Sequence, residues 1–439
     1  MAMACGLMVV GGCGAPEGST APFVDDTLSG EVTFWHSYVQ GARSEALNEA
    51  IERFEERYPN VHINAETMTW GDFKKRWREG AQTGNLPDLS TACNMHEVEE
   101  LYAAGLLRPA DEAIDAIGRD RFSDNVLAEL THDGVAYGVP YYSHAFVMWY
   151  RQDLLDQAGL AVPQTWEEFA AAARALTDPE QGTYGYALAA SPNDYMATVC
   201  LNLYLRSRGE GLLGHDLRAN LTSEAALEGI RYWADVALDC APPGSLDDTV
   251  NEQANRFYEG TTAFDFNSGF QVLGVQETRP DLLGSISCSL PPRMAASDGP
   301  YSTLVSHIPL VMYANGKNDE ACEAFLAFLY EDENYLEFLD SVPVGMLPSI
   351  QGIASTEAYQ SNPLRQQFAK EEGVIQEAML EGHALGFEDA PNLHAGILTS
   401  SGVVERMFHR ILEDGVAVEE AAQAAEDELN RLFDAAGTL

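Results

Sequence analysis

Apolar positions near the start of the chain alternate between two periods. Val32 and Phe34 point one way with polar neighbours between them, the period-two pattern of a half-buried strand over 31–35. Leu47, Ile51, Phe54 and Tyr58 then recur at helical spacing over 41–58, and Pro59 ends that helix. The rhythm repeats as a strand at 61–66, a helix at 71–80, a strand at 88–92 and a helix at 97–104. Strands alternating with helices at this spacing predict an α/β fold with parallel pairing and right-handed crossovers. Further strands are expected at 137–140, 146–150, 185–188, 262–266 and 307–313. Thr165 and Glu168 form the outer residues of a capping box that opens a helix. Thr222 or Ser223 caps another, and from Asp319 onward the chain is mostly helical, ending in a helix over 418–435. No repeat of solenoid length is present.

At 439 residues, the chain is long enough for two or more domains with their own cores. Its 68 acidic and 25 basic residues give a formal charge of −43. Such a surface repels phosphate backbones and anionic headgroups, which argues against nucleic acid as a partner. No apolar run approaches the ~20 residues of a membrane span.

Leu7-Met8-Val9-Val10-Gly11-Gly12 precedes Cys13, and the polar, Pro/Gly-bearing stretch from Gly14 to Thr20 follows it. That run resembles a bacterial lipoprotein signal, which implies cleavage before Cys13, acylation of its thiol and a lipid tether outside the membrane. Residues 1–29 are therefore expected to be signal and spacer. Of the seven cysteines, Cys93, Cys200, Cys240, Cys288 and Cys322 remain after Cys5 and Cys13. None makes a C-x-x-C pair, so zinc and thioredoxin-like chemistry have no support. Buried free thiols are the default, with Cys200–Cys240 as a candidate disulfide.

Ordered segments carry a family likeness. They run from Val32-Thr33-Phe34-Trp35-His36-Ser37 through Phe54-Glu55-Glu56-Arg57-Tyr58-Pro59 and Gly84-Asn85-Leu86-Pro87-Asp88. Asp133-Gly134-Val135-Ala136-Tyr137-Gly138-Val139-Pro140-Tyr141, Trp149-Tyr150-Arg151-Gln152-Asp153-Leu154 and Pro163-Gln164-Thr165-Trp166 follow. Phe257-Tyr258-Glu259-Gly260-Thr261 and Gly345-Met346-Leu347-Pro348 complete the series. The chain resembles the extracellular solute-binding proteins of ATP-driven importers, in the sugar-binding group that includes maltose- and glycerol-3-phosphate-binding proteins. The resemblance implies two α/β lobes of the type II periplasmic-binding fold, joined by crossing strands, with ligand held in the cleft between them. It places 30–141 plus 267–309 in the first lobe and 142–266 plus 310–439 in the second. It also implies a monomer that binds a carbohydrate, needs no cofactor and delivers its ligand to ABC permease subunits at the outer face of the cell membrane.

Ligands of open α/β sheets gather beyond the carboxyl ends of strands. Trp35, His36 and Ser37 sit just past the first strand, Trp70 shortly past the second and Asn94 past the third. Aromatic faces cover the C–H face of a sugar ring, while amides and hydroxyls bond its OH groups. Trp35 also admits a core reading, and His36 a structural one. By the resemblance, Tyr141, Tyr142, Ser143 and His144 occupy the first crossing, and Asp265, Asn267 and Ser268 lie at the second. Ser306, His307, Gly345 and Met346 join them by the same likeness, with Tyr195 as a further candidate; Met346 reads equally as core filler. His144 stands where phosphate-binding relatives carry a serine. These segments hold no Lys or Arg except Arg151, just beyond the hinge, so a neutral oligosaccharide is expected over glycerol 3-phosphate or a glycerophosphodiester. Trp35 and Trp70 are expected to serve binding more than folding.

Enzyme signatures are missing from the sequence. No P-loop or G-x-S-x-G stands in a strand–turn–helix setting, and His96-Glu97-Val98-Glu99-Glu100 lacks the second histidine of a zincin. A carbohydrate-active enzyme and a sensor or adhesion lipoprotein on the same fold remain as alternatives. Turnover in a cleft would mark the first, and absence of an ATPase–permease partner the second.

Overall fold

The alternation at Val32 and Phe34 becomes strand β1 (Ser29–His36), and the helical spacing after it becomes α1 (Gly41–Arg57). Strand β2 (Asn60–Thr67), helix α2 (Trp70–Thr83), strand β3 (Leu89–Thr91) and helix α3 (Met95–Ala103) follow. They belong to a computed structural model that describes residues 24–39, 41–91, 95–294, 303–388 and 391–436. Cys13 lies outside those residues. β1 pairs in parallel with β2 from Ser29–Asn60 to His36–Thr67, and with β3 on its other side.

Strands β4 (Val139–Ala145) and β5 (Val147–Arg151) are nearly continuous, but they belong to different sheets. Helices α4 (Trp166–Ala175), α5 (Met196–Ser207) and α6 (Glu224–Cys240) come next. Then come β6 (Phe264–Asn267), α7 (Phe270–Thr278), β7 (Ile286–Ser289) and β8 (Val305–Met312). Helix α8 (Asp319–Leu329) precedes a two-residue strand β9 (Leu347–Pro348). The last three helices are α9 (Leu393–Ser400), α10 (Val403–Leu412) and α11 (Val418–Ala436). The larger sheet has six strands in the order β9-β4-β8-β3-β1-β2, and the smaller has three in the order β6-β5-β7.

The pairing redraws the expected partition of the chain. β6 and β7 both bond to β5, so the chain between them stays with the smaller sheet. Residues 270–289 therefore run with the smaller sheet, although Phe270 and Leu273 also pack on the core of the larger one, and Asp265–Ser268 is not a crossing. The chain passes from the larger sheet to the smaller at Ala145–Val147, and β8 and β9 belong again to the larger. β8 lies antiparallel between β3 and β4, which puts 305–312 in the first lobe. α8 stays with that sheet, packing Phe325 edge-on against Phe34 and Phe54.

Each sheet packs one face on a core of its own, and a further cluster that includes Ala145, Val147, Trp149 and Val305 joins the two. The smaller sheet is covered by an aromatic cluster of Trp166, Phe169, Tyr186, Trp233 and Phe266, in which the Trp166 and Trp233 rings meet at 5.6 Å. The capping box forms as expected, with Glu168 N–H donating to Thr165 Oγ1 at 3.2 Å and the Glu168 carboxylate accepting from Thr165 N–H. Ser223, rather than Thr222, caps α6, accepting from Ala226 N–H at 3.2 Å. Thr222 instead donates to Glu426. Replacing Ser223 with alanine is expected to lower stability by about 1 kcal/mol, seen as a reduced urea midpoint with an unchanged slope.

Two local expectations fail. Residues 185–188 make no regular strand: the pairing there is reduced to a bridge between Tyr184 and Thr262. Gly185 lies so close under α4 that an added Cβ would stand 2.2 Å from the Ala173 carbonyl oxygen, and the segment is held between that helix and the start of β6, where Phe264 N–H donates to the Gly185 carbonyl at 3.0 Å. Cys200 and Cys240 are both free and buried, as are Cys288 and Cys322. Cys200 Sγ meets the Tyr186 hydroxyl at 3.0 Å instead, and burial pushes its thiol up to about 12.

The lobes also touch along a seam remote in sequence from the crossings. α9, which packs on α11 of the second lobe, lies against α3 of the first. His96 Nε2 bonds the Leu385 carbonyl at 2.7 Å. Gly396 comes so near that a Cβ there would meet the His96 carbonyl oxygen at 3.0 Å.

Candidate functional site

The carboxyl end of β1 meets the start of the crossing strands, and here several expected residues converge. His36 is 2% exposed. Its Nδ1 accepts from Tyr38 N–H at 3.3 Å, which leaves the proton on Nε2 to donate to Thr67 Oγ1 at 3.1 Å. Burial, reinforced by the nearby Arg43 charge, lowers its pKa to about 4, so the ring is neutral at pH 7. His144, on β4 opposite Ser306, is half-buried and sets its ring edge-on to Phe270 at 6.2 Å. Its Nδ1 has no hydrogen-bond partner among the described residues. Burial first, then His307 and Arg43, hold its pKa near 4.

Ser143 and His307 form a buried pair across β4 and β8, with Ser143 Oγ 2.6 Å from His307 Nδ1 and 2.8 Å from Ser349 Oγ. Burial holds His307 neutral, with a pKa near 4. Among the described residues no carboxylate completes this pair, and Ser143 is fully buried. The arrangement orients side chains at the crossing rather than activating a nucleophile.

Other expected residues are used by the fold. Tyr141 is buried and stacks on Phe338 at 4.4 Å, and Tyr142 shares that core. Asp265 is a buried carboxylate whose oxygens accept from Gln253 at 2.5 Å, from Asn267 at 3.3 Å and from Gln271. Burial raises its pKa to about 6. Ser268 is buried and gives its carbonyl to Trp149 Nε1 at 2.8 Å. Met346 is fully buried in the first-lobe core, which takes the filler reading. Gly345 lacks the Cβ that would meet Phe270 N at 3.1 Å. Tyr195 is half-buried at the edge of the second-lobe core. Asn94 lies outside the described residues, as does the side chain of Trp70, which opens α2.

Trp35 is 3% exposed and packs with Met68, Phe73 and Trp77. The Arg76 guanidinium lies 4.4 Å from its ring centroid and covers a face that a sugar would otherwise use. This favours core over contact, against the expectation that Trp35 serves binding.

One residue was missed. Arg43, in the first turn of α1, is 3% exposed and lies 5.5 Å from the Tyr38 ring and 5.2 Å from the Phe270 ring. It links the end of β1 to the first residue of α7 in the other lobe. The available signal was its place in the first turn of the helix that follows β1, where strand-end sites recruit helix N-termini.

Two sheets joined by crossing strands, with polar side chains converging at the crossing, define a two-lobe binding-protein fold. Residues 40–335 match the family described as bacterial extracellular solute-binding protein, and the chain belongs to it. YcjN of Escherichia coli (strain K12), provisionally described as an ABC transporter periplasmic-binding protein, is 23% identical over 410 residues, covering 92% of this chain and 93% of that one. A lactose-binding protein of Rhizobium radiobacter is 24% identical over 355 residues, covering 78% and 79%. The crystal structure of an ABC transporter solute-binding protein from Thermotoga lettingae, bound with α-D-tagatose, superposes with a TM-score of 0.79 at 21% identity, covering 92% and 99%. No helix among the described residues is long and apolar enough to cross a membrane.

Proposed function

We propose that this protein captures a carbohydrate in the cleft between its lobes and delivers it to the permease of an ABC importer, without transforming it. The observation that carries this reading is the convergence of His36, His144, Tyr38 and Phe270 where the two sheets meet, in a member of a solute-binding family. Neutral imidazoles and phenol rings suit hydroxyl-rich ligands, donating and accepting without charge. The sugars named for its relatives, lactose and tagatose, point the same way. The protein acts as a monomer outside the cell, tethered by lipid on Cys13.

Calorimetry with a sugar panel, followed by chromatography of the same mixtures, tests this. One ligand is expected to bind at one site per chain and to be recovered unchanged. Product formed faster than by a His144→Ala variant would replace the reading with that of an enzyme.

A further inference from the structure

Among the described residues three arginines are buried: Arg43, Arg151 and Arg365. Arg365 pairs with Asp340 and gives a further hydrogen bond to the Leu339 carbonyl at 3.0 Å. Arg151 grips Asp153 through two nitrogens, at 2.6 and 2.7 Å. Arg43 has no ion pair and no hydrogen-bond acceptor among the described residues, and its Nε is fully enclosed. In a chain with 68 acids, a buried guanidinium without a carboxylate stands out.

A guanidinium does not shed its proton. Burying it unpaired is costly, and stacking on two rings offsets only part of that cost. The fork of N–H donors therefore awaits an acceptor from outside the chain. Two features define that acceptor. The guanidinium sits at the N-terminal turn of a 17-residue helix, whose free N–H groups favour negative charge. The histidines around it, His36 and His144, are neutral at pH 7, so Arg43 is the one full positive charge among these groups. A single planar cation matches a singly charged planar carboxylate in a two-bond fork. A phosphate monoester carries nearly two charges at pH 7 and asks for more cations than this.

We infer that the ligand is a sugar acid, a uronic or aldonic acid alone or at the end of an oligosaccharide, whose carboxylate is held by Arg43. This rests on the reading of the cleft as a carbohydrate site, and it departs from the neutral ligand expected from the sequence segments.

The test is calorimetry with matched pairs: galacturonate against galactose, glucuronate against glucose, gluconate against glucitol, and the corresponding disaccharides, with glycerol 3-phosphate and glucose 6-phosphate as a further arm. The expected result is that one acid binds and its neutral counterpart binds weaker by roughly 100-fold or more. Arg43→Gln should lose about the same factor for the acid and less than tenfold for the neutral sugar. The ligand-free variant should melt no lower than the wild type, because the lost group was an uncompensated charge. The wild-type comparison stands even if the variant fails to fold. A neutral sugar bound as tightly as its acid overturns the inference and leaves the carbohydrate reading intact. A phosphate ester bound in preference to every carboxylate also overturns it. Binding of no sugar of either kind, with an intact melting transition, overturns both.

Discussion

Trp35→Ala is expected to reduce the unfolding free energy of the ligand-free protein by about 3–5 kcal/mol, while the folded fraction keeps its ligand affinity within about tenfold. The indole fills a pocket made by Met68, Phe73 and Trp77, under the Arg76 guanidinium, with 3% of its surface left to solvent. Truncation removes transfer energy and leaves a cavity that strand β1, held on both sides by β2 and β3, cannot close. It also strips Arg76 of its ring contact and leaves it with only the Glu66 ion pair. Trp35→Phe provides the comparison. Nε1 of Trp35 has no hydrogen-bond partner among the described residues, so phenylalanine gives up volume but no bond and should cost far less. Urea melts of the three proteins, with calorimetry on each, separate the two roles. Affinity lost at unchanged stability would return Trp35 to the ligand site.

The second large effect is a pH dependence with an unusual sign. Glu405, in α10, is fully buried, and its Oε1 accepts from Thr198 N–H at 3.0 Å and from Thr198 Oγ1 at 2.7 Å. Burial raises its pKa from the ordinary 4.5 to about 7, against the pull of those hydrogen bonds. Between the two values the folded protein binds more protons than the unfolded chain. The stability tied to this group is therefore complete below about pH 4.5 and falls as pH rises toward 7, by roughly 3 kcal/mol in all. Glutamine at this position can still accept both Thr198 bonds and has nothing to titrate. Glu405→Gln is expected to remove that decline, so that it gains on the wild type between pH 5 and pH 8. Denaturation midpoints at the two pH values decide, and parallel pH profiles for the two proteins would refute the assignment.

Which features were legible in the sequence follows from their range. The β1-α1-β2 unit and the Thr165–Glu168 capping box are set by residues a few positions apart, so periodicity and cap chemistry locate them within a residue or two. The partition between lobes depends on β4 pairing with β8, strands some 160 residues apart in the chain, for which Val139–Ala145 and Val305–Met312 carry no local mark. The site behaved likewise. His36 and His144 were reached through strand-end reasoning and family likeness, respectively. Asp265 was not readable as a structural carboxylate, because its donors Gln253 and Gln271 come from helices on either side of β6. Arg43 went unnoticed because an arginine in a helix ordinarily reads as a solvated face. Phe270, at the start of α7 and remote in sequence, encloses it together with Tyr38.

The close approach of Gly396 to the His96 carbonyl gives the seam a mechanical meaning. A bulky side chain placed there would act as a wedge, since it meets backbone and the Glu100 side chain on the α3 side. Arg43, His36 and His144 are not part of that contact, so prying the lobes apart at this point leaves the proposed recognition groups chemically intact. Capture and handover, which a closing protein normally performs as one event, become separable by a change at the buried seam between α3 and α9.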